Sequence, residues 1–156
     1  DASCDWSSDV CSSDLLPLNI SENRNTAISH ALSSYRGSGV HHIAFSCDDI
    51  FAEVRRAKDA GVPLLDIPLN YYDDLSARFD FEDEFLSELA YFNVLYDRDA
   101  QGGEFFHVYT ESFDDRFFFE ILQRKNGYVG YGAANVAVRL AAMAKSRSGA
   151  ARQARL

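Results

Sequence analysis

The feature that most constrains this chain is an aromatic segment at residues 117–124, FFFEILQR, with one carboxylate in its middle. Aromatic and branched side chains favour a β-strand, which places Phe118, Glu120 and Leu122 on one face. Burying a carboxylate there is costly unless a positive group meets it, and no cation occurs in the segment before Arg124. We therefore expect Glu120 to face a distant side chain or a metal ion.

Composition excludes several classes of partner. The chain has 156 residues, enough for one domain with a real core, and its formal net charge of −9 argues against nucleic acid and anionic membranes. No apolar run is long enough to span a bilayer, so we expect no membrane partner and a cytoplasmic protein.

The N-terminal segment is predicted to be an artefactual leader. Residues 5–15, DWSSDVCSSDL, resemble the codon-by-codon translation of a sequencing-adapter oligonucleotide. Excluding residues 1–15 removes Cys4 and Cys11, leaves Cys47 alone, and favours a reducing compartment. This interpretation predicts that the chain is a fragment of a longer protein. A natural Ser/Asp-rich leader is the alternative.

The remaining chain divides into three parts. Residues 16–38 are predicted to be the end of a preceding module and a linker helix, and 145–156 a disordered basic tail. Residues 39–144 have the pattern of a β-α-β-β-β module with a loop-helix insertion before the third strand. The predicted strands are 40–47, 62–67, 94–96, 104–110 and 117–124; the predicted helices are 50–60, which Asp48 or Asp49 caps, 73–79, 82–92 and 136–144.

Two strands of this module carry candidate metal ligands. Alternation places His42 on one face of the first strand and His41 on the other. If the sheet curls, His42 and Glu120 meet on its concave face, where imidazole and carboxylate suit Fe(II), Mn(II) or Mg(II). On the residues alone, a strand histidine is as compatible with a core or surface role, and Glu120 could pair with Arg116 or Arg124.

Five motifs occur in a fixed order: GVHHIAF with DDI at 39–50, YYD at 71–73, LYDRD at 95–99, FFEILQR at 118–124, and GYG at 130–132 with Asn135. Together they resemble the C-terminal part of the 4-hydroxyphenylpyruvate dioxygenase family, in the vicinal-oxygen-chelate superfamily. The resemblance implies an α+β fold, namely a βαβββ module with a curled mixed sheet preceded by the tail of a second module.

The resemblance also implies a site. His42 corresponds to the family's second metal histidine and Glu120 to its carboxylate ligand, while the first histidine belongs to the preceding module. The implied substrate-binding positions are Asn19, His107, Tyr109, Phe118, Tyr131 and Asn135. The implied cofactor is a divalent metal, Fe(II) first and Mg(II) or Mn(II) otherwise. The implied substrate is a small aromatic or 2-oxoacid compound, with no catalytic group beyond the metal ligands.

The chain departs from the family at four positions. His107 replaces a pocket glutamine, Tyr109 and Tyr131 replace two phenylalanines, and Ala27 stands where glutamine is common. His107 is either a substrate group or a strand residue bonded to Tyr131. The pocket is more polar than one for a bare phenyl ring, since buried polar groups need partners. These residues resemble more closely the dioxygenase-like half of bifunctional 3-dehydroshikimate dehydratases, whose separate barrel performs the dehydration.

Three functions are therefore open. The first is the dioxygenase-like C-terminal half of such a bifunctional dehydratase, which acts in aromatic compound catabolism. The second is the end of a free-standing Fe(II)-dependent 4-hydroxyphenylpyruvate dioxygenase, and the third is a non-catalytic binding or structural module. In the first two the intact parent is an enzyme and its missing N-terminal portion is the essential partner. The isolated fragment is expected to be inactive because one of three protein ligands is absent. A homo-oligomer is left open.

Overall fold

The computed structural model describes Thr26, Ser29, Leu32, Ser33 and residues 35–113 and 116–153, with side chains as far as Arg147. Residues 1–15, Asn19 and Ala27 lie outside the described part. The elements are β1 His42–Ser46, α1 Ile50–Asp59, α2 Asn70–Arg78, α3 Asp83–Phe92, β2 Leu95–Arg98, β3 Glu104–Tyr109, β4 Phe118–Lys125, a 3-10 helix Ala133–Asn135 and α4 Val136–Gln153.

The four strands form one mixed sheet in the order β1-β4-β3-β2. β4 lies in the middle, parallel to β1 and antiparallel to β3. β2 and β3 form an antiparallel hairpin. The sheet is open, because β1 and β2 are its two edges. The predicted α+β class is confirmed.

The register brings distant residues onto one face. Ala44 of β1 and Tyr109 of β3 both pair with Glu120. Since paired residues in adjacent strands point to the same side, alternating positions of the three strands share a surface. We call it the site face, and it carries His42, His107, Tyr109, Phe118 and Glu120.

Helices cover the opposite face. Phe85 of α3 packs edge-on against Phe106, at 6.3 Å between ring centroids. α1 begins where the sequence predicts, because the Asp49 carboxylate accepts a hydrogen bond from the Ala52 amide at 3.1 Å. The side-chain oxygen of buried Gln123 on β4 accepts a second, from the Ile50 amide at 3.3 Å. A polar side chain of the sheet thus helps to fix the start of the helix that covers it.

Two predicted elements differ in the structure. The strand predicted at 62–67 is reduced to one bridge between Leu64 and Thr110. Pro63 and Pro68 bracket it and donate no hydrogen bond, which keeps the pairing short. The helix predicted at 136–144 continues to Gln153, into the segment expected to be a disordered tail. Alanine, the best helix former, recurs there and extends the helix. No helix among the described residues is long and apolar enough to cross a membrane.

Gly132 supports the site face from the side. Its φ of +64° is left-handed, and a Cβ there would lie 2.7 Å from Cε1 of Phe105 and 2.9 Å from Cε1 of His107. The absence of a side chain therefore lets the backbone pack against the His107 ring.

We expect Gly132→Ala to lower the free energy of unfolding more than Gly127→Ala does. Gly127 has a φ of +75° and open space around it, so its alanine variant meets only the conformational penalty, about 1 kcal/mol. Gly132→Ala adds overpacking of about 1–3 kcal/mol. Urea unfolding of the two variants measures the difference. Equal losses would mean that the contact with His107 contributes nothing.

Candidate functional site

His42 and Glu120 point their tips toward each other across the site face. His42 Nε2 lies 3.6 Å from Glu120 Oε2. This separation is too long for a hydrogen bond. Metal bonds to nitrogen and oxygen are about 2.1 Å long, so one cation can bridge ligand atoms up to about 4.2 Å apart. The pair therefore fits a divalent cation.

The pKa values of His41 and His42 are both lowered. Burial lowers the pKa of His42 below its usual 6.5; the Glu120 charge opposes this shift and the Arg139 charge reinforces it. Burial, Arg139 and His42 together lower the pKa of His41 to about 4. Neutral imidazole is the form that ligates a metal. Nδ1 of His41 and Nδ1 of His42 are 3.0 Å apart and share one hydrogen. If His42 donates that hydrogen, its Nε2 lone pair stays free toward Glu120.

The prediction for His41 needs a correction. Strand alternation predicts His41 on the face opposite His42, yet its ring lies edge-on to Phe118, with centroids 4.9 Å apart, and contacts His42. β1 begins only at His42. Strand alternation therefore does not govern His41.

His107 fixes one oxygen of Glu120. This fully buried histidine lies with Nδ1 2.7 Å from Glu120 Oε1 and Nε2 3.0 Å from Asn135 Nδ2. Asn135 Nδ2 also donates to the Tyr96 carbonyl at 3.0 Å, which identifies it as the amide nitrogen. Because that nitrogen donates to Nε2, the His107 hydrogen lies on Nδ1 and is donated to Glu120. Glu120 Oε2 is left facing His42.

Tyr71 completes this buried network. Its hydroxyl accepts from the Tyr96 amide at 2.8 Å and lies 3.2 Å from Asn135 Oδ1. Burial raises the pKa of Tyr71 to about 12, so the hydroxyl remains a donor at neutral pH. The carboxylate on β4 is thus tied through side chains to β2 and α2. Tyr71 belongs to the YYD motif, which could have signalled it, but the sequence assigns it no role.

Aromatic rings and one arginine border the candidate site. The His42 ring stacks on Phe118, with centroids 4.8 Å apart and planes 4° apart. Tyr109 meets Phe118 edge-on at 5.7 Å. The Arg139 guanidinium on α4 lies 5.3 Å from the Tyr109 ring centroid and 5.2 Å from that of Phe118. Arg139 is not among the predicted site residues. Its signal is its position as a lone charge in the apolar segment VAVRLAAMA.

The structure brings together most of the predicted site residues. The site face carries His42, His107, Tyr109, Phe118 and Glu120, with Asn135 bonded to His107. Tyr131 is 66% exposed, and the partners of His107 are Glu120 and Asn135 rather than Tyr131. Within the described residues, no group of three or more His, Cys, Asp or Glu side chains is placed to hold a metal. The roles of these residues stay predictions.

The chain is similar in sequence to two enzymes from Pseudomonas species. It is 85% identical over 143 residues to 3-dehydroshikimate dehydratase of Pseudomonas putida, covering 92% of this chain and 22% of that protein. It is 34% identical over 126 residues to 4-hydroxyphenylpyruvate dioxygenase of Pseudomonas aeruginosa, covering 80% of this chain and 35% of that protein. The chain thus spans only a minor part of these relatives.

Solved structures show the same relationships. A xylose isomerase-like TIM barrel/4-hydroxyphenylpyruvate dioxygenase fusion protein matches with a TM-score of 0.75 and 87% identity, over 85% of this chain and 21% of that one. A variant of 4-hydroxymandelate synthase from Streptomyces coelicolor matches with a TM-score of 0.68 and 36% identity, over 77% of this chain and 34% of that one. The profile of the Glyoxalase/Bleomycin resistance protein/Dioxygenase superfamily matches residues 10–90, and the chain belongs to that superfamily.

Proposed function

We propose that this chain is the dioxygenase-like C-terminal part of a two-part 3-dehydroshikimate dehydratase. His42 and Glu120 then supply two of three protein ligands to a divalent metal, Fe(II) first. The observation that carries the proposal is the facing pair of ligand atoms 3.6 Å apart. The 85% identity to a named dehydratase and the match to a barrel–dioxygenase fusion support the two-part arrangement.

The parts of the site have distinct tasks in this proposal. A bound Fe(II) would supply a Lewis acid with open positions for a substrate and dioxygen. His107 keeps Glu120 oriented by donating to Oε1. Phe118 and Tyr109 form an aromatic wall that binds a ring and excludes water. The third ligand would come from the preceding module of the parent protein, and the dehydration takes place in the barrel. A cytoplasmic location is part of the same proposal.

A free-standing Fe(II)-dependent dioxygenase is the second candidate. The 34% identity to 4-hydroxyphenylpyruvate dioxygenase favours it, since the same ligand pair would serve there. The upstream reading frame separates the two candidates. A barrel-sized domain supports the two-part protein, and a single preceding module supports the free-standing enzyme. A protein that kept the fold without metal or turnover would match the third possibility, a binding module.

Removing the Glu120 charge should remove the metal. In the intact protein we expect Glu120→Gln to weaken divalent-metal binding by more than about 100-fold, because loss of a residue behind a ligand already costs about 10–100-fold. Glu104→Gln is the matched control, since Glu104 accepts from the Tyr96 hydroxyl at 2.7 Å and pairs with Lys125 at the far end of β4. Competition titration and elemental analysis measure binding. Unchanged metal content in Glu120→Gln would refute the metal site.

His107 should act on the metal through Glu120. We expect His107→Leu to weaken metal binding by about 10–100-fold, because it removes the donor to Glu120 Oε1. His107→Gln can donate to Glu120 and accept from Asn135, so it should restore most of the affinity. Affinities of both variants, with circular dichroism as a check on folding, test this role. Equal affinities for the two variants would show that His107 does not position the carboxylate.

The two activities should separate in the intact protein. With Fe(II) and aromatic 2-oxoacids, we expect dioxygen uptake that Glu120→Gln abolishes, while the rate of 3-dehydroshikimate dehydration stays within about twofold of wild type. The physical reason is that Glu120 reaches only the metal site of this part. An oxygen electrode and absorbance of the dehydration product give the two rates. Loss of both activities together would contradict the division of labour.

A further inference from the structure

Arg139 is a buried cation with unused hydrogen-bond donors. The residue is 9% exposed, and its Nε and Nη1 atoms are buried without a hydrogen-bond partner. Arg139 takes part in none of the ion pairs found among the described residues. A buried, unpaired guanidinium costs several kcal/mol as an order of magnitude, so such a group is expected to have a partner in the working protein.

The surroundings place this cation on the site face. Its carbon atom Cζ lies 5.3 Å from the Tyr109 ring centroid and 5.2 Å from that of Phe118, the ring on which His42 stacks. Cation–π contact offsets part of the free-energy cost of removing the guanidinium from water, but it leaves the N–H groups without hydrogen-bond acceptors. Arg139 also contributes to keeping His41 and His42 neutral, as expected of a charge close to both.

The charges of the site face favour an anion. Among the described residues, Glu120 is the one buried carboxylate and Arg139 is the one buried guanidinium. Glu120 is occupied by His107 and faces His42. If a divalent cation joins Glu120, as the proposed function has it, the site carries an excess of two positive charges. A ligand that brings negative charge is then required for balance.

We propose that Arg139 is a specificity-determining residue that binds a carboxylate of the substrate. A carboxylate forms short, charge-assisted hydrogen bonds with guanidinium N–H groups. Phe118 and Tyr109 are buried and surround Arg139 with apolar rings, so water competes little for hydrogen bonds to its N–H groups. A neutral analogue leaves the buried donors unpaired and is rejected. This inference rests on the proposed function for its charge balance, which counts the divalent cation, whereas the unpaired donors of Arg139 are observed without it.

Binding of benzoate and of its neutral analogue benzamide tests the inference in the intact protein. Calorimetry is done with a chelator present, so that no metal competes for the carboxylate. We expect wild type to bind benzoate at least about tenfold more tightly than benzamide. Arg139→Met should reduce this preference to about twofold or less. Arg147→Met is the matched control, because Arg147 is an exposed arginine on the same helix, and it should leave the preference unchanged.

Arg139→Lys keeps the charge and is the second variant, in case Arg139→Met does not fold. It should weaken benzoate binding by at least about threefold, since an ammonium lacks the planar fork of donors. A wild-type preference that persists in Arg139→Met, or unchanged benzoate affinity in Arg139→Lys, would overturn the inference. So would an Arg139→Met variant that loses only stability, which would make Arg139 a counter-charge for Glu120. Because the binding is measured without metal, failure of the metal site leaves this test intact.

Discussion

The hydrogen bond from His107 to Glu120 is the interaction on which the site depends. A carboxylate in a strand of phenylalanines would be costly to bury alone, and His107 Nδ1 meets it at 2.7 Å. The bond also gives the two carboxylate oxygens different surroundings. Oε1 is held by the protein, and Oε2 is turned toward His42. The same contact therefore stabilises the core and orients the oxygen that faces His42.

The network behind this bond explains why distant segments must meet. Asn135 closes a turn after Gly132, and its amide holds the imidazole in one tautomer. Tyr71 holds the other end of that amide and the backbone of Tyr96. From Asn135 through His107 to Glu120 each group donates to the next, which leaves few alternative arrangements of these hydrogen bonds. Two segments that do not belong to the sheet thus orient a group in its middle strand.

Much of this arrangement follows from the sequence. The period-2 pattern correctly places Phe118 and Glu120 on one face of β4, and the strand register then brings His107 of β3 onto the same face. The start of α1 follows from Asp49, whose cap is a local interaction. Partner choice does not follow, because hydrogen bonds between residues far apart in the chain leave no local pattern. His107 was compatible with Tyr131 as a partner, yet that tyrosine is exposed.

Arg139 is a second residue whose environment cannot be predicted from the sequence. A charge on a helix is ordinarily read as a solvated position, and only packing of α4 against Tyr109 and Phe118 makes this one buried. Its Nε and Nη1 donors have no partner within the described chain, whereas the Nδ1 donor of His107 does. The two residues therefore have different roles among the polar groups of the site. His107 completes the protein's own network, and Arg139 is left to be completed by something that the protein binds. On physical grounds, buried polar groups do not weaken binding when the ligand supplies the charge and the hydrogen-bond acceptors that they lack.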